Sequence, residues 1–323
     1  MMKSSKMPLL AKFMSLIVGV LVASAAVAFA QEPAPPAASD VTVRKATIWS
    51  EGTRMAAQIF APSAAVEKKL PTIIMAHGWG GTAAMLRDDA LAFAKAGYLV
   101  VAFDYRGWGD SDSRVILTAP EPAERSGHRF TAEVMELREI VDPLAEAADW
   151  LNAIHWVQAE PQSDPGRLGL WGTSFAGGLV VWVAGHDHRV KAVHSQVGPL
   201  DFRGFERIAY DEGTRRARGE LGYPQPGAVV VGHLHGAPIS DHFLPYSPAD
   251  AMSLAPDCAI QLVLAGNEEL FDNRTVISAY DSFKGTKKKM VIIPDITHYG
   301  IYGTARLQAQ TLALEWFDTY LKP

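Results

Sequence analysis

The stretch Leu168-Gly169-Leu170-Trp171-Gly172-Thr173-Ser174-Phe175-Ala176-Gly177-Gly178 decides the fold. An apolar run passes through small residues straight into a helical pattern, so a strand must turn into a helix with almost no loop between them. A serine in that turn sits on a sharp bend that lifts its hydroxyl above the strand end, and the helix N-terminus behind it favours developing negative charge. Bulk is excluded on both sides of such a bend, a demand that Gly172 meets. The pattern is Gly-x-Ser-x-Gly with Ala176 in the last place and Gly177 following it. A serine can also cap an ordinary helix, so a nucleophile has to find its partners elsewhere in the chain.

Outward from this stretch, two segments near the start alternate as half-buried strands do, Val41 to Ile48 and Arg54 to Phe60, and suggest an antiparallel hairpin. After Pro71, short continuous apolar runs take over: Thr72 to Ala76, Tyr98 to Phe103, Arg167 to Trp171, Val190 to Val197, Ile260 to Ala265 and Lys289 to Ile293. Helical patterns separate them, at roughly 82–95, 131–157, 174–184, 273–283 and 305–320. Strand, helix, strand repeated in this way predicts an α/β fold with a mostly parallel eight-stranded sheet, the first pair antiparallel, and helices on both faces. From Asp201 to Asp257 the rhythm breaks into many Gly, Pro and His residues. A stretch of this length inside a compact domain points to a cap inserted after the sixth strand.

Sites on such sheets lie beyond the carboxyl ends of the strands. After the third run comes His77-Gly78-Trp79-Gly80-Gly81, a loop tight enough to present a backbone N–H; Trp79 and Phe175 are the expected oxyanion donors. No Gly-Lys-Ser/Thr ending follows, which argues against a phosphate cradle. The general base is expected on the loop after the final strand, where Asp295-Ile296-Thr297-His298-Tyr299-Gly300 supplies His298. Its orienting acid is expected after the seventh strand, in Gly266-Asn267-Glu268-Glu269-Leu270-Phe271-Asp272. Counting three residues from the glycine favours Glu269, with Asp272 as the alternative, Asp201 a distant third and Glu268 facing solvent. His233, His235 and His242 lie close together but lack the helical spacing of a metal site; neither metal nor cofactor is expected. Trp79, Trp108 and Tyr299 are candidates to line an apolar pocket.

Taken together, the serine turn, the His77-Gly78 loop, Asp104-Tyr105-Arg106-Gly107-Trp108-Gly109-Asp110-Ser111 and the late histidine occur in an order that resembles the α/β-hydrolase superfamily. The resemblance extends over nearly all of the chain after residue 40. Within it, Ile296 to Tyr302 and Glu269 to Arg274 resemble the dienelactone-hydrolase-like group, which also contains fungal polyketide acyltransferases. The resemblance implies the α/β-hydrolase fold and gives Asp104 and Arg106 the look of turn-fixing residues rather than catalytic ones.

Composition bounds the rest. With 323 residues, 48% apolar and 20% charged, the chain can bury a full-sized core. Lys3, Lys6 and Lys12 precede an apolar run from Phe13 to Phe29 that ends Ala28-Phe29-Ala30, the pattern of a secretory leader over 1–30. A retained anchor is the alternative, although the run is just short of a comfortable span. A Pro/Ala-rich tether, 31–40, would follow, then one hydrolase domain, 41–323. Loss of the leader's three lysines leaves 27 basic against 35 acidic residues, a formal charge of −8. Such a chain offers no general attraction to nucleic acid or anionic lipid. Cys258 is the single cysteine and has no internal disulfide partner. The expectation is a periplasmic or secreted serine hydrolase that cleaves a small or medium carboxylic ester through an acyl-serine, without stable membrane insertion once the leader is gone. The alternatives are an acyltransferase using the same acyl-serine and a non-catalytic binding protein on a hydrolase scaffold. No signal for oligomeric state is present.

Overall fold

The computed structural model describes residues 40–322 apart from 66, 67, 205, 226, 228, 232 and 233. The expected leader, the tether up to residue 39 and His233 therefore lie outside the described residues. In chain order come β1 (Val41–Ser50), β2 (Thr53–Pro62), β3 (Leu70–Ala76), α1 (Arg87–Lys95) and β4 (Leu99–Phe103). Next are β5 (Arg114–Leu117), β6 (Val134–Leu137), β7 (Ile140–Val141), α2 (Pro143–Gln158), β8 (Ser163–Thr173), α3 (Phe175–His186) and β9 (Val190–Gln196). Then follow α4 (Glu206–Ala217), β10 (Val229–Val231), β11 (Leu234–His235), β12 (Ala237–Pro238) and α5 (Pro248–Met252). The described chain closes with β13 (Ala259–Ala265), α6 (Asn273–Ser282), β14 (Lys288–Ile293) and α7 (Arg306–Leu321).

Eight strands form one sheet in the order β1-β2-β4-β3-β8-β9-β13-β14, with β2 antiparallel to both neighbours and every later pairing parallel. This is the α/β-hydrolase arrangement. Continuous apolar runs form strands here because both faces are covered, and alternate residues enter different cores. In β3, Ile74 and Ala76 face α2 and α3, where they meet Trp150, Ile154 and Leu179. Ile73 and Met75 face α1 and α7, where they meet Phe93, Trp316 and Phe317. The chain leaves β3 toward β4 and leaves β8 toward β9, in opposite directions, so the loops after β3 and β8 diverge. A crevice opens between them, at the point where such sheets bind ligands.

The helix expected over 131–157 is corrected. Its first half is extended: Val134 to Leu137 pair with β5, and only at Pro143, after the Asp142 cap, does α2 begin. The Asp142 side chain accepts from the N–H groups of Leu144 and Ala145, while Pro143 occupies the first helical position and needs no hydrogen-bond acceptor. The Asp104 and Arg106 turn behaves as the resemblance implied. Asp104 accepts from the Ala83 and Asp110 N–H groups at 2.6 and 3.1 Å, and Arg106 forms ion pairs with Asp149 and Glu51. Cys258 is buried, and burial pushes its thiol up to about 12.

Among its described residues the 201–257 segment holds α4, three very short strands, a 3-10 turn at Ser240–Phe243 and α5. Its β12 adds in parallel to β7, Ala237 N–H donates to Glu139 O, and Trp79 Nε1 donates to Gly236 O at 3.1 Å. His242 Nδ1 lies 2.9 Å from Asp142 Oδ1, joining the segment to the start of α2. That hydrogen bond raises the His242 pKa against the opposing effect of burial, with Asp241 adding to the rise and Arg216 opposing it. Burial raises Asp142, but His242 and the α2 N–H groups outweigh it and leave its pKa lowered.

Two outcomes follow from these contacts. A raised histidine pKa contributes stability that is complete below the ordinary value of about 6.5 and is lost as pH rises through the raised value. The lowered Asp142 contributes above the carboxylate range and fades only in acid. The melting temperature is therefore expected to fall as pH rises from about 6.5 through the raised His242 value, and to fall less in His242→Gln, in thermal melts across neutral to mildly alkaline pH. Separately, a Cβ at Gly172 would run into the Ala176 carbonyl, a backbone atom with no room to move. Gly172→Ala is expected to cost at least about 3 kcal/mol, the upper end of overpacking penalties, as read by denaturant titration.

Candidate active site

Ser174 follows the last residue of β8 and precedes the first of α3, with φ 54° and ψ −129°. A non-glycine residue holds that conformation only when its surroundings dictate it. Here the Ser174 N–H donates to Gln196 O at 2.8 Å and the Ser174 carbonyl accepts from Gly177 N–H at 2.7 Å. Glycine at 177 is needed because a Cβ there would come within 2.7 Å of the Gly198 Cα. On the other side, a Cβ on Gly78 would stand 2.7 Å from Ser174 Cβ and 3.3 Å from Phe175 N. The Gly78-Trp79 backbone therefore abuts the serine turn. Phe175 opens α3, so its N–H has no acceptor within the helix.

Ser174 Oγ lies 3.0 Å from His298 Nε2. His298 begins a short 3-10 turn after β14, and its side chain is buried. On the far side of the ring, Nδ1 is 2.9 and 3.0 Å from the two carboxylate oxygens of Glu268, whose side chain is 1% exposed. A carboxylate only accepts, so Nδ1 carries the proton and Nε2 presents its lone pair to the serine.

The carboxylate at the imidazole is thus Glu268, and the expectation of Glu269 with Asp272 in reserve is corrected. Glu269 sits one step away, accepting the His298 backbone N–H at 2.6 Å. Asp272 caps α6 and pairs with Arg274 at the surface. Asp201 pairs with Arg203. The spacing rule fails because the sheet does not end at Ala265: Gly266 N–H donates to Ile293 O and Asn267 N–H to Ile296 O. Those two bonds carry the chain further toward His298, and Glu268 then accepts the Leu270 N–H as the chain turns away. The sequence did carry one signal, two adjacent carboxylates of which one faces inward.

Around the dyad lies a cleft of 510 Å³, lined by the His77–Gly81 loop, Ser174, Gln196, His298 and the apolar groups Met85, Leu86, Leu234, Leu270, Tyr299 and Ile301. Leu234 comes from the 201–257 segment. Trp79 and Tyr299 line the cleft as proposed from sequence; Trp108 does not, being buried against His77 and the Gly236 backbone. Burial lowers the His77 pKa to about 4, against the hydrogen bond of its Nδ1 with Gly78 O at 2.9 Å, so this histidine is neutral and structural. Among the described residues no group of His, Cys, Asp or Glu could hold a metal ion. His235 and His242 do not converge on one. No described helix is long and apolar enough to cross a membrane. Sequence reasoning missed Thr173, Gln196 and Tyr302, which surround the serine turn; only the strand-end position of Gln196 hinted at a role.

Comparison with known proteins agrees with this architecture. A family model described as X-Pro dipeptidyl-peptidase (S15 family) matches residues 51–225. An uncharacterized 31.7 kDa protein of Escherichia coli is 25% identical over 299 residues, covering 78% of this chain and 92% of that protein. A quorum-quenching protein of Acinetobacter baumannii is 34% identical over 148 residues, 46% of this chain but only 41% of the relative. Among solved structures, a dienelactone hydrolase from Anabaena variabilis superposes with a TM-score of 0.54 at 18% identity, covering 88% of this chain and all of the other.

The three carboxylates separate by substitution. Glu268→Ala is expected to lower turnover through the Ser174–His298 pair by about 10²–10⁴. Glu269→Ala should chiefly cost stability, about 1–3 kcal/mol for the orphaned His298 N–H. Asp272→Ala should leave turnover intact and cost only the cap of α6. Steady-state rates and thermal melts of the three variants, side by side, give the ordering.

Proposed function

Because the chain belongs to the X-Pro dipeptidyl-peptidase (S15) family and is a hydrolase of the α/β class, we propose that it cleaves the carboxylic ester of a small or medium neutral substrate through an acyl-serine. His298 Nε2 takes the Ser174 proton as Oγ attacks the ester carbonyl, and Glu268 holds the ring and balances the imidazolium charge. The N–H groups of Trp79 and Phe175 receive the oxyanion. His298 then protonates the departing alcohol, and water, deprotonated by the same ring, releases the acid. The observation that supports this reading is the unbroken chain from Ser174 Oγ to His298 to Glu268, at 3.0 and 2.9 Å.

Charge in the cleft favours an ester over a dipeptide. A substrate with a free α-ammonium needs an unpaired carboxylate, and the described carboxylates here are engaged. Asp89 accepts from Arg306 and from Gln310, while Glu268 and Glu269 serve His298. The guanidinium of Arg306 is in turn occupied by Asp88 and Asp89. What remains for a ligand is an apolar wall of a size suited to a single acyl or aryl group. We read 41–323 as one hydrolase domain with 201–257 as its cap, and the charged, apolar, small-x-small start of the chain as a leader that sends the enzyme to the periplasm or beyond.

Ser174→Ala is expected to abolish both the burst from p-nitrophenyl acetate and labelling by a fluorophosphonate, with turnover down about 10⁴–10⁶. A burst that survives the substitution would sink the acyl-serine reading. Faster cleavage of a Gly-Pro anilide than of a butyrate ester would sink the ester assignment. Ester formation from an added alcohol that outpaces hydrolysis would make the enzyme an acyltransferase.

A further inference from the structure

Tyr302 lies four residues beyond His298 on the same 3-10 turn. It lines the cleft, 39% exposed and with its ring against His298, while its hydroxyl is 2.8 Å from Thr173 Oγ1, in the residue next to Ser174, close enough to interact with the Ser174 side chain. Thr173 is buried and accepts in turn from Gln196 Nε2 at 3.2 Å. Gln196 is the residue whose backbone carbonyl holds the Ser174 N–H.

The proton count gives this row a direction. Gln196 Nε2 can only donate, so Thr173 Oγ1 is an acceptor on that side and has its own proton to give. Its neighbour on the other side is Tyr302 Oη. If Thr173 donates to Tyr302, the single phenolic proton is free, and the group it faces next is Ser174. The reverse direction would leave the buried Thr173 proton without an acceptor, which costs more than it gains.

We propose that Tyr302 is a positioning residue for Ser174, the end of a Gln196–Thr173–Tyr302 relay that aims one O–H at the nucleophilic oxygen. The inference rests on the acyl-serine reading above. In acylation the Ser174 proton passes to His298 Nε2 and the Oγ–C bond forms as the carbonyl electron pair moves onto its oxygen; when that pair returns, the C–O bond to the alcohol breaks and the alcohol leaves with the proton from His298. In deacylation water gives a proton to His298 as it adds to the acyl carbon, the Oγ–C bond breaks and that proton passes from His298 to Oγ. Oγ carries partial negative charge in both steps, and the Tyr302 O–H meets that charge while keeping its own proton. Burial pushes the phenol well above its ordinary range, so it stays protonated throughout. The relay also restrains Oγ on the His298 side of the turn, which shortens the search for the attacking geometry.

The test uses Tyr302→Phe, which keeps the ring, and Thr173→Val, which keeps the shape of the strand end but removes the middle of the relay. For p-nitrophenyl acetate, Tyr302→Phe is expected to lower kcat about 10- to 100-fold with KM unchanged, and to slow fluorophosphonate labelling of Ser174 by the same factor. Thr173→Val should give a similar loss and Thr173→Ser should restore most of it. The double variant Tyr302→Phe/Thr173→Val should be no slower than the worse single one, since both break one unit. Thermal melts identify any loss caused by unfolding, in which case the Thr173 pair decides. A kcat within twofold of the parent for Tyr302→Phe, or losses that multiply in the double variant, overturns the relay. Failure of the Ser174→Ala experiment would remove the acyl-serine reading itself, whereas failure here leaves that reading standing.

Discussion

Ser174 is held at φ 54° and ψ −129°, a conformation worth about 1–3 kcal/mol of strain, and the neighbouring backbone is arranged to keep it there. Three close approaches do this, each at a glycine: Gly172 against the Ala176 carbonyl, Gly177 against Gly198, and Gly78 against Ser174 itself. They explain the departure from Gly-x-Ser-x-Gly. At position 176 it is the main chain that makes the tight contact, so a methyl group is tolerated, while the helix face that must meet the 195–199 backbone lies at 177 and 178, both glycine. The motif moved by one residue because the steric demand is met one residue later.

The second constraint is electrostatic. The Glu268 carboxylate is 1% exposed and would be costly if it stood alone, and the buried His298 Nδ1–H that meets it makes each depend on the other. The cleft wall meets the same requirement by pairing Arg306 with Asp88 and Asp89. The charged groups at the site are thereby committed to one another, and the surface left for a ligand is apolar.

Much of the fold was legible because its signals are local. Runs such as Ile260 to Ala265 must be buried on both faces, and their alternation with helical patterns leaves few topologies. Ser174 and His298 were legible for the same reason, each tied to a strand end. Glu268 was not: its place depends on how far β13 continues to bond to the loop after β14, a matter of partners 30 residues apart that no spacing rule contains. The 131–142 stretch misled in a similar way. Val134 to Leu137 suit either period, and pairing with β5, not propensity, makes them a strand. Tyr302 carried no sequence signal of its own, since a tyrosine in a loop has many uses and only Thr173 at 2.8 Å picks one.

His298 is carried beyond β14, a strand with a single neighbour in the sheet, and lies 124 residues after the serine it serves. The serine turn is built within β8, α3 and β9, whereas the histidine and glutamate beside it are carried on the loops after β14 and β13. A chain whose last two strands have not yet been made therefore has neither the His298 ring nor the Glu268 carboxylate to set against the Ser174 hydroxyl. The row of contacts at Ser174 is thus completed only by the C-terminal edge of the sheet.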